Sequence, residues 1–420
     1  MKTQILKIAL LFIVVTSITS CSKDDNENGT INNTAPETFN LIGVTNNAIV
    51  VDVLPNFSWQ TAIDAEGDAV TYNLFLDTEA NPTTLYAEDI STTNYSVTER
   101  LLLDQKYYWK VVAEDEVGAT TTSETYSFTT RSINLNVNAV TENADFTARR
   151  GLTSVVFNDK LWVIGGFDGN NKNDVWSSSD GITWVQETAN APFSARWGHT
   201  SVVFNNKLWV IAGRDNGGRL NDVWSSSDGV TWVEETSNAL FSVRQGHISV
   251  VFNNKLWVIC GNDGSFKNDV WSSSDGVTWV EETANAPFST RWGHTSVVFS
   301  NKLWVIGGFN GVFKNDVWSS SDGVTWAEET SNTPYTPSYF HTSVVFSNKL
   351  WVIGGIDNNF TTKNDIWSSS DGITWVQETA DAVFSARSDH TSVVFDNKLW
   401  VIGGKCRFND DAKNDVWAFD

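Results

Sequence analysis

His199, His247, His294, His341 and His390 are the five imidazoles of the chain, and each opens the same run, His-Thr-Ser-Val-Val-Phe or its Ile248 variant. A ring repeated at one fixed place reads as a satisfied structural group before it reads as a base or metal ligand. No His-x-His or His-Glu-x-x-His spacing occurs. Three residues ahead of this position stands Arg149, Arg196, Arg244, Arg291 or Arg387, with Ser338 the exception. A circle of guanidiniums offers bidentate contacts to a carboxylate, as in an acidic sugar or a protein side chain. Recurrence in nearly every copy supports the other reading, a partner for a repeated acid such as Asp174 or Asp222 of Asn-Asp-Val-Trp.

Between that Arg and that His, one position reads Arg150, Trp197, Gln245, Trp292, Tyr339 and Ser388, and the next reads Gly151, Gly198, Gly246, Gly293, Phe340 and Asp389. Aromatic rings beside hydrogen-bonding groups suit a sugar, whose CH face stacks while its hydroxyls find polar partners. The ligand-binding candidates are therefore Arg150, Trp197, Gln245, Trp292, Tyr339 and Asp389, with Arg196 and Arg291 from the guanidinium circle. For catalysis, a tyrosine nucleophile with a nearby acid is restricted to Tyr339 with Asp389. General acid and base roles would fall to loop carboxylates such as Asp168, Asp263, Asp357 or Asp389, none distinguished by spacing. No catalytic residue, metal ligand or cofactor is assigned on this reading.

The elements that position these residues repeat. Lys-Leu-Trp-Val-Ile starts at Lys160, Lys207, Lys255, Lys302, Lys349 and Lys398, at intervals of 47, 48, 47, 47 and 49 residues. Each copy holds four short runs rich in β-branched and aromatic residues, HTSVVF, KLWVIGG, NDVWSSS and ITWVQET in the fullest version, separated by Asn, Asp and Gly turn signals. We name them strands a to d. The sixth copy reaches Trp417-Ala418-Phe419-Asp420 without its own d, whereas Leu135, Val137 and Val140 precede Asn143-Ala144-Asp145-Phe146-Thr147-Ala148-Arg149, a match to the link between the first two copies. Residues 133–140 are thus expected to supply the outer strand of the last unit and tie the ring shut. Of 21 Trp, 17 fall at repeat positions and read as packing, which leaves Trp197 and Trp292 outside the pattern in this region.

Alternating strand direction puts the d-to-a and b-to-c connections on one face. The a-to-b turns are near-identical, and the c-to-d turns are all Ser-Asp-Gly. By contrast the b-to-c loops read FDGNNK, RDNGGRL, NDGSFK, FNGVFK, IDNNFTTK and KCRFNDDAK. Recognition requires broken symmetry, so the binding face is placed on the d-to-a and b-to-c side.

The Gly-Gly closing strand b (Gly165-Gly166, Gly307-Gly308, Gly354-Gly355, Gly403-Gly404), the Arg-x-Gly-His-Thr-Ser lead-in to strand a, and the spaced aromatics resemble kelch repeats. Ala212-Gly213 and Cys260-Gly261 depart from the glycine pair. The resemblance covers about residues 133 to 420 and implies an all-β fold, a six-bladed kelch-type β-propeller like the central domain of galactose oxidase. The SSDGxTW segment is also similar to a shortened Asp-box of sialidases. Propellers of these kinds host sialidases, galactose oxidase and a sialic acid epimerase, so a carbohydrate-active enzyme is the alternative to a binding protein. The two Tyr, two His and Cys that a copper-radical oxidase requires in one pocket are not present as a constellation.

Ahead of the repeats, Lys2 and Lys7 flank an apolar run from Ile8 to Ile18, too short for a permanent membrane span. Ile18-Thr19-Ser20-Cys21 resembles a bacterial lipobox, which implies a signal peptide over 1–20, lipidation of Cys21 and a tether over 21–34. The acidic Ser22-Lys23-Asp24-Asp25-Asn26-Glu27 is similar to an export tag of outer-surface lipoproteins, and implies a cell-surface location on the outer membrane. Residues 35–131 carry short alternating strands and resemble a fibronectin type III domain, an immunoglobulin-like β-sandwich, most clearly in KYYWKVVAEDEVG; residues 132–420 form the propeller. A net charge of −22 argues against nucleic acid as a partner. The expectation is a lipid-anchored monomer, in contact with the membrane through Cys21 only, that binds a glycan or protein ligand. Cys260 and Cys406 are read as too far apart for a disulfide.

Overall fold

The computed structural model describes residues 33–406 and 411–420. The expected signal segment and Cys21 lie outside the described residues, as does the tether up to residue 32. Every regular element among the described residues is a strand. In the first repeat, strands a (Thr153–Phe157), b (Lys160–Phe167), c (Asn171–Ser178) and d (Val185–Thr188) pair antiparallel in sequence order. Asn158 and Asp159, at φ of 48° and 55°, form the two-residue a-to-b hairpin turn that left-handed Asn and Asp favour. Strand d is shorter than its sequence suggests because the turn before it consumes residues. Ser178 Oγ accepts from the Gly181 amide at 2.8 Å, and Asp180 accepts from the amides of Ile182 and Thr183 at 2.8 and 2.9 Å. This self-contained turn also accounts for the Asp-box likeness.

Four more sheets of this order follow, the last of them with a two-residue strand, Ser338–Tyr339, added beside strand b, and a three-stranded sheet ends the series. Their a strands touch in a closed circle, from Thr153–Phe157 through Thr200–Phe204, Ile248–Phe252, Thr295–Phe299, Thr342–Phe346 and Thr391–Phe395 and back. Strand b is buried on both faces, which is why Leu-Trp-Val-Ile runs unbroken instead of alternating. Sheets interlock where the strand-b Trp covers the turn glycine of a neighbour: a Cβ added to Gly229 would lie 2.2 Å from Trp162, and likewise for Gly276 on Trp209 and Gly323 on Trp257. Only glycine fits beneath those rings.

Asn414 Nδ2 closes the circle by donating to the carbonyls of Ala144 and Phe146 at 2.9 and 3.1 Å, as Asn173 does to Ala191 and Phe193 within the chain. Residues 133–140 run beside the last strand, Asp411–Phe419, bonded at their ends by Asn134 N to Asp420 O (2.7 Å) and Val140 N to Val416 O (2.8 Å). No regular ladder forms between those points, so the last sheet has three strands. Ile133, Leu135 and Val137 instead pack into the core behind it.

The N-terminal unit has two sheets. Leu41–Gly43, Asn56–Trp59 and Asn94–Ser96 make one; the other is built on Lys106–Asp115, flanked by Val70–Asp77 and Tyr126–Thr130. Phe57, Trp59, Trp109 and Phe128 fill the core between them. This unit docks where the repeat pattern lapses. Trp351 has no Ser-Asp-Gly turn of a following repeat to cover it, and Val53 and Leu103 join its core in that place. Leu103 N donates to Ser347 Oγ at 2.8 Å, Lys349 pairs with Asp104 at 3.1 Å and Arg100 with Asp420 at 2.8 Å. Burying a carboxylate at position 103 removes that cover, so Leu103→Asp should lower the unfolding free energy of the repeat region by about 2–4 kcal/mol. Denaturant unfolding followed by Trp fluorescence reads this, because 19 of 21 Trp lie in that region; an unchanged midpoint would make the contact passive.

Ala212 sits at φ 52°, where four repeats place glycine. Left-handed backbone costs an L-residue about 1–2 kcal/mol. Ala212→Gly is expected to raise the unfolding free energy by about 1 kcal/mol, allowing for the methyl burial lost; a drop on calorimetry would show that the methyl outweighs the strain.

Candidate functional site

Residues leading into strand a pair with the base of the b-to-c loop of the same repeat: Arg150 with Phe167, Trp197 with Arg214, Gln245 with Asn262, Trp292 with Phe309, Tyr339 with Ile356, and Ser388 with Lys405. The variable positions and variable loops thus share one face. Below them a backbone collar encircles the channel. The amides of Gly198, Gly246, Gly293, Phe340, Asp389 and Gly151 donate in turn to the carbonyls of Gly151, Gly198, Gly246, Gly293, Phe340 and Asp389, at 2.7–3.3 Å, a closed cycle. All six residues are left-handed; Phe340 and Asp389 hold φ of 55° and 53° with side chains in place. Strain concentrates on the two positions that break the glycine column, as at functional sites generally.

The collar and the a strands enclose a cavity of about 230 Å³ lined by Trp197, Trp292, Phe340, Asp389, the five His and the Thr-Ser hydroxyls. Its rim is divided. On one side Trp292 packs against Phe340 (5.0 Å between centroids) and Tyr339 (6.3 Å), and Tyr339 meets Phe309 and Phe313 at 5.2 and 5.4 Å. Phe266 and exposed Phe360 extend this shelf. On the other side Arg150 lies over Trp197 at 5.0 Å and Phe167 at 4.9 Å, and Lys405 approaches Asp389 at 3.6 Å. Burial pushes the Asp389 carboxyl above its ordinary range against the opposing pull of Lys405 and Arg150. Gln245 is buried, its Oε1 without a hydrogen-bond partner among the described residues, and the cavity wall passes through the adjacent Gly246.

Sequence reasoning placed Arg196 and Arg291 among the ligand-binding residues, and the structure corrects that. Both side chains have no exposed surface. Arg196 spends its five N–H donors on Ser194 O, Ala212 O, Asp222 Oδ1, Ser194 Oγ and Asp222 Oδ2, at 2.9, 2.9, 2.7, 3.0 and 2.7 Å. Arg291 does the same with Ser289, Gly307 and Asp316. No donor is left for a ligand.

The loop carboxylates weighed as acids or bases are likewise committed. Asp168, Asp263 and Asp357 pair with Lys172, Lys267 and Lys363 at 2.7, 2.8 and 3.1 Å. Burial acts to raise them, but these lysines and local amides outweigh it and hold them below the ordinary range. Tyr339 is pushed up by burial and then by Asp389, the opposite of nucleophile activation. The aromatic shelf residues Phe309 and Phe313 went unassigned in the sequence, although FNGVFK carried the signal.

A channel ringed by sheets that are mostly four-stranded and antiparallel is the plan of a β-propeller. The KLHDC2/KLHL20/DRC7 Kelch-repeats domain profile matches residues 112–308 and 273–420, and the chain belongs to this kelch-repeat family. Among solved structures the chain is similar to "Structure of YjhT", with TM-score 0.55 and 17% identity over 65% of this chain and 95% of that one, a likeness of fold. No curated protein matches.

The histidines are wall. Thr153, Thr200 and Thr342 bond Nε2 of His199, His247 and His390 in the next repeat at 3.1, 3.0 and 2.9 Å. His294 lacks this partner because Ile248 replaces the threonine. Burial first, then neighbouring Arg196 and Arg387, holds His199 and His390 down at about 3; burial holds His341 at about 4. The folded protein keeps these rings neutral, while the unfolded chain protonates them below about 6.5. The unfolded state therefore binds more protons, and stability falls as pH drops from about 6.5 toward 4, by up to ~1.4 kcal/mol per pH unit per ring. His294→Leu, matching Leu152 of the first repeat, should leave stability at neutral pH unchanged or higher and reduce the acid slope by one proton. Denaturant midpoints across that pH range measure it, and an unaltered slope would contradict a neutral buried His294.

Proposed function

We propose that this chain is a lipid-anchored, cell-surface binding protein whose propeller mouth takes a glycan, in preference to a protein ligand. The finer architecture belongs to the same reading: six blades over 132–420, closed by 133–140, a fibronectin type III-like sandwich over 35–131, a signal peptide over 1–20 and a tether from Cys21 to residue 34 that holds a monomer at the outer membrane. The observation that carries the reading is the divided rim. A half-buried aromatic shelf around Trp292 and Tyr339 gives a sugar ring a stacking face, and Arg150, Asp389 and Lys405 across the cavity give its hydroxyls donors and acceptors. Support also comes from the N-terminal unit, which packs at the a-to-b turns of the last repeats, on the far face, and leaves the mouth uncovered.

Glycan array screening of the purified protein, with Trp292→Ala and Tyr339→Ala beside it, tests the reading. Loss of one stacking ring should weaken binding by about 1–2 kcal/mol, roughly five- to thirtyfold. Unchanged binding in both variants would remove the mouth from consideration. Turnover of a bound sugar that disappears in Asp389→Asn would reassign the protein to the enzymes.

A further inference from the structure

The lead-in to the fifth repeat keeps its backbone path and loses its cation. Five repeats answer the aspartate of Asn-Asp-x-Trp with a buried arginine: Asp174, Asp222, Asp269, Asp316 and Asp415 each hold a guanidinium through both oxygens, at 2.6–2.9 Å. Two further acceptors complete each contact, the carbonyl of the first residue of the glycine pair and the residue two before the arginine. In the fifth repeat Ser338 stands in the arginine's place. A Cβ on Gly307 would lie 3.2 Å from both Ser338 O and Lys314 O, as one on Gly165 would lie 3.2 Å from Arg196 O and Lys172 O, so the chain runs along the same course. Ser338 Oγ turns to His341 Nδ1 at 3.3 Å.

The acceptor set that faced guanidinium elsewhere is therefore Asp365, the carbonyl of Gly354, and Thr336, in corresponding positions. Asp365 receives Trp367 Nε1 at 2.9 Å, the bond its counterparts also receive beside their arginine. Its electrostatics differ in sign from those of Asp316. Burial pushes the Asp365 carboxyl above the ordinary range, with Lys363 opposing, whereas at Asp316 the Arg291 guanidinium outweighs burial and holds the carboxyl below it. Lys363 pairs with Asp357 at 3.1 Å and makes no bond to Asp365 among those described. Thr336 is exposed and Asp365 is half-buried. The set adjoins the aromatic shelf, since Tyr339 follows Ser338 directly.

We propose that Asp365, Gly354 O and Thr336 form a binding site for a guanidinium group brought from outside the chain, on an arginine side chain or a small alkylguanidine. The planar fork of donors satisfied by the other five repeats is the chemistry that this set of oxygens fits, and a compact ammonium or sodium ion meets it less completely. The site is separate from the sugar-binding cavity and does not rest on that assignment.

Thermal unfolding in methylguanidinium or N-acetylarginine amide, against methylammonium and sodium at equal ionic strength, tests it on the full-length protein, Ser338→Arg and Asp365→Asn. The wild type should show a saturating rise in melting temperature with at least one guanidinium probe beyond either control. A response to the arginine amide alone assigns a peptide side chain, and a response to methylguanidinium alone assigns a small molecule. Ser338→Arg should melt higher than wild type without any probe and lose the response; should it fail to fold, Asp365→Asn must still lose it. A wild-type response no larger than that to methylammonium, or one that survives in Asp365→Asn, overturns the proposal.

Discussion

A guanidinium taken wholly out of water must have every donor answered, and five arginines in this ring meet that condition in the same way. Each joins three pieces of chain: the d-to-a link that carries it, the end of strand b, and the start of strand c. Those pieces form the rim of the mouth. Removing one partner of such a pair costs about 3–5 kcal/mol because a charge is then left buried and alone, so the pairs fix the register of the mouth more than they add to stability. The phenylalanine beneath each guanidinium, Phe193 under Arg196 at 5.5 Å for instance, ties this polar joint to the Trp-filled layer between sheets.

The ring architecture was legible because two periodicities coincide, alternation within a strand and a 47- to 49-residue interval between strands. The face that carries variation was legible for the same reason. Arg196 and Arg291 were misassigned although their recurrence already pointed to scaffold, since sequence alone does not say whether a repeated cation faces a repeated acid or a ligand. The collar was half legible: its glycine column was visible, but amide-to-carbonyl bonds have no side-chain signature. The docking of Leu103 over Trp351 was not legible at all, because it joins residues with no common pattern and follows from what one repeat lacks.

Symmetry also explains where the energetic defects sit. Ala212, Cys260, Phe340 and Asp389 occupy left-handed backbone that the other repeats give to glycine, and His294 lost its threonine to Ile248. Ala212, Cys260 and His294 form a run through the second to fourth repeats, deep in the wall. Cys260 is fully buried and its thiol is pushed up by burial, so it behaves as a small apolar filler. Phe340 and Asp389 differ in kind, since they lie on the collar and line the cavity.

That distinction separates tolerated drift from a working site. A strained filler in the wall gains nothing from its side chain that glycine would forfeit at the mouth, whereas Phe340 and Asp389 put an aromatic edge and a buried carboxyl at neighbouring places on the collar. Phe340 packs on both Trp292 and Tyr339, at 5.0 and 4.7 Å, and so sets the angle of the shelf. Asp389 keeps a carboxyl beside Lys405, with the Arg150 cation also acting on it, in a chain whose net charge is already −22. A carboxyl held there against burial and backbone strain is positioned by the ring, and the collar amides on either side of it limit how far it can move.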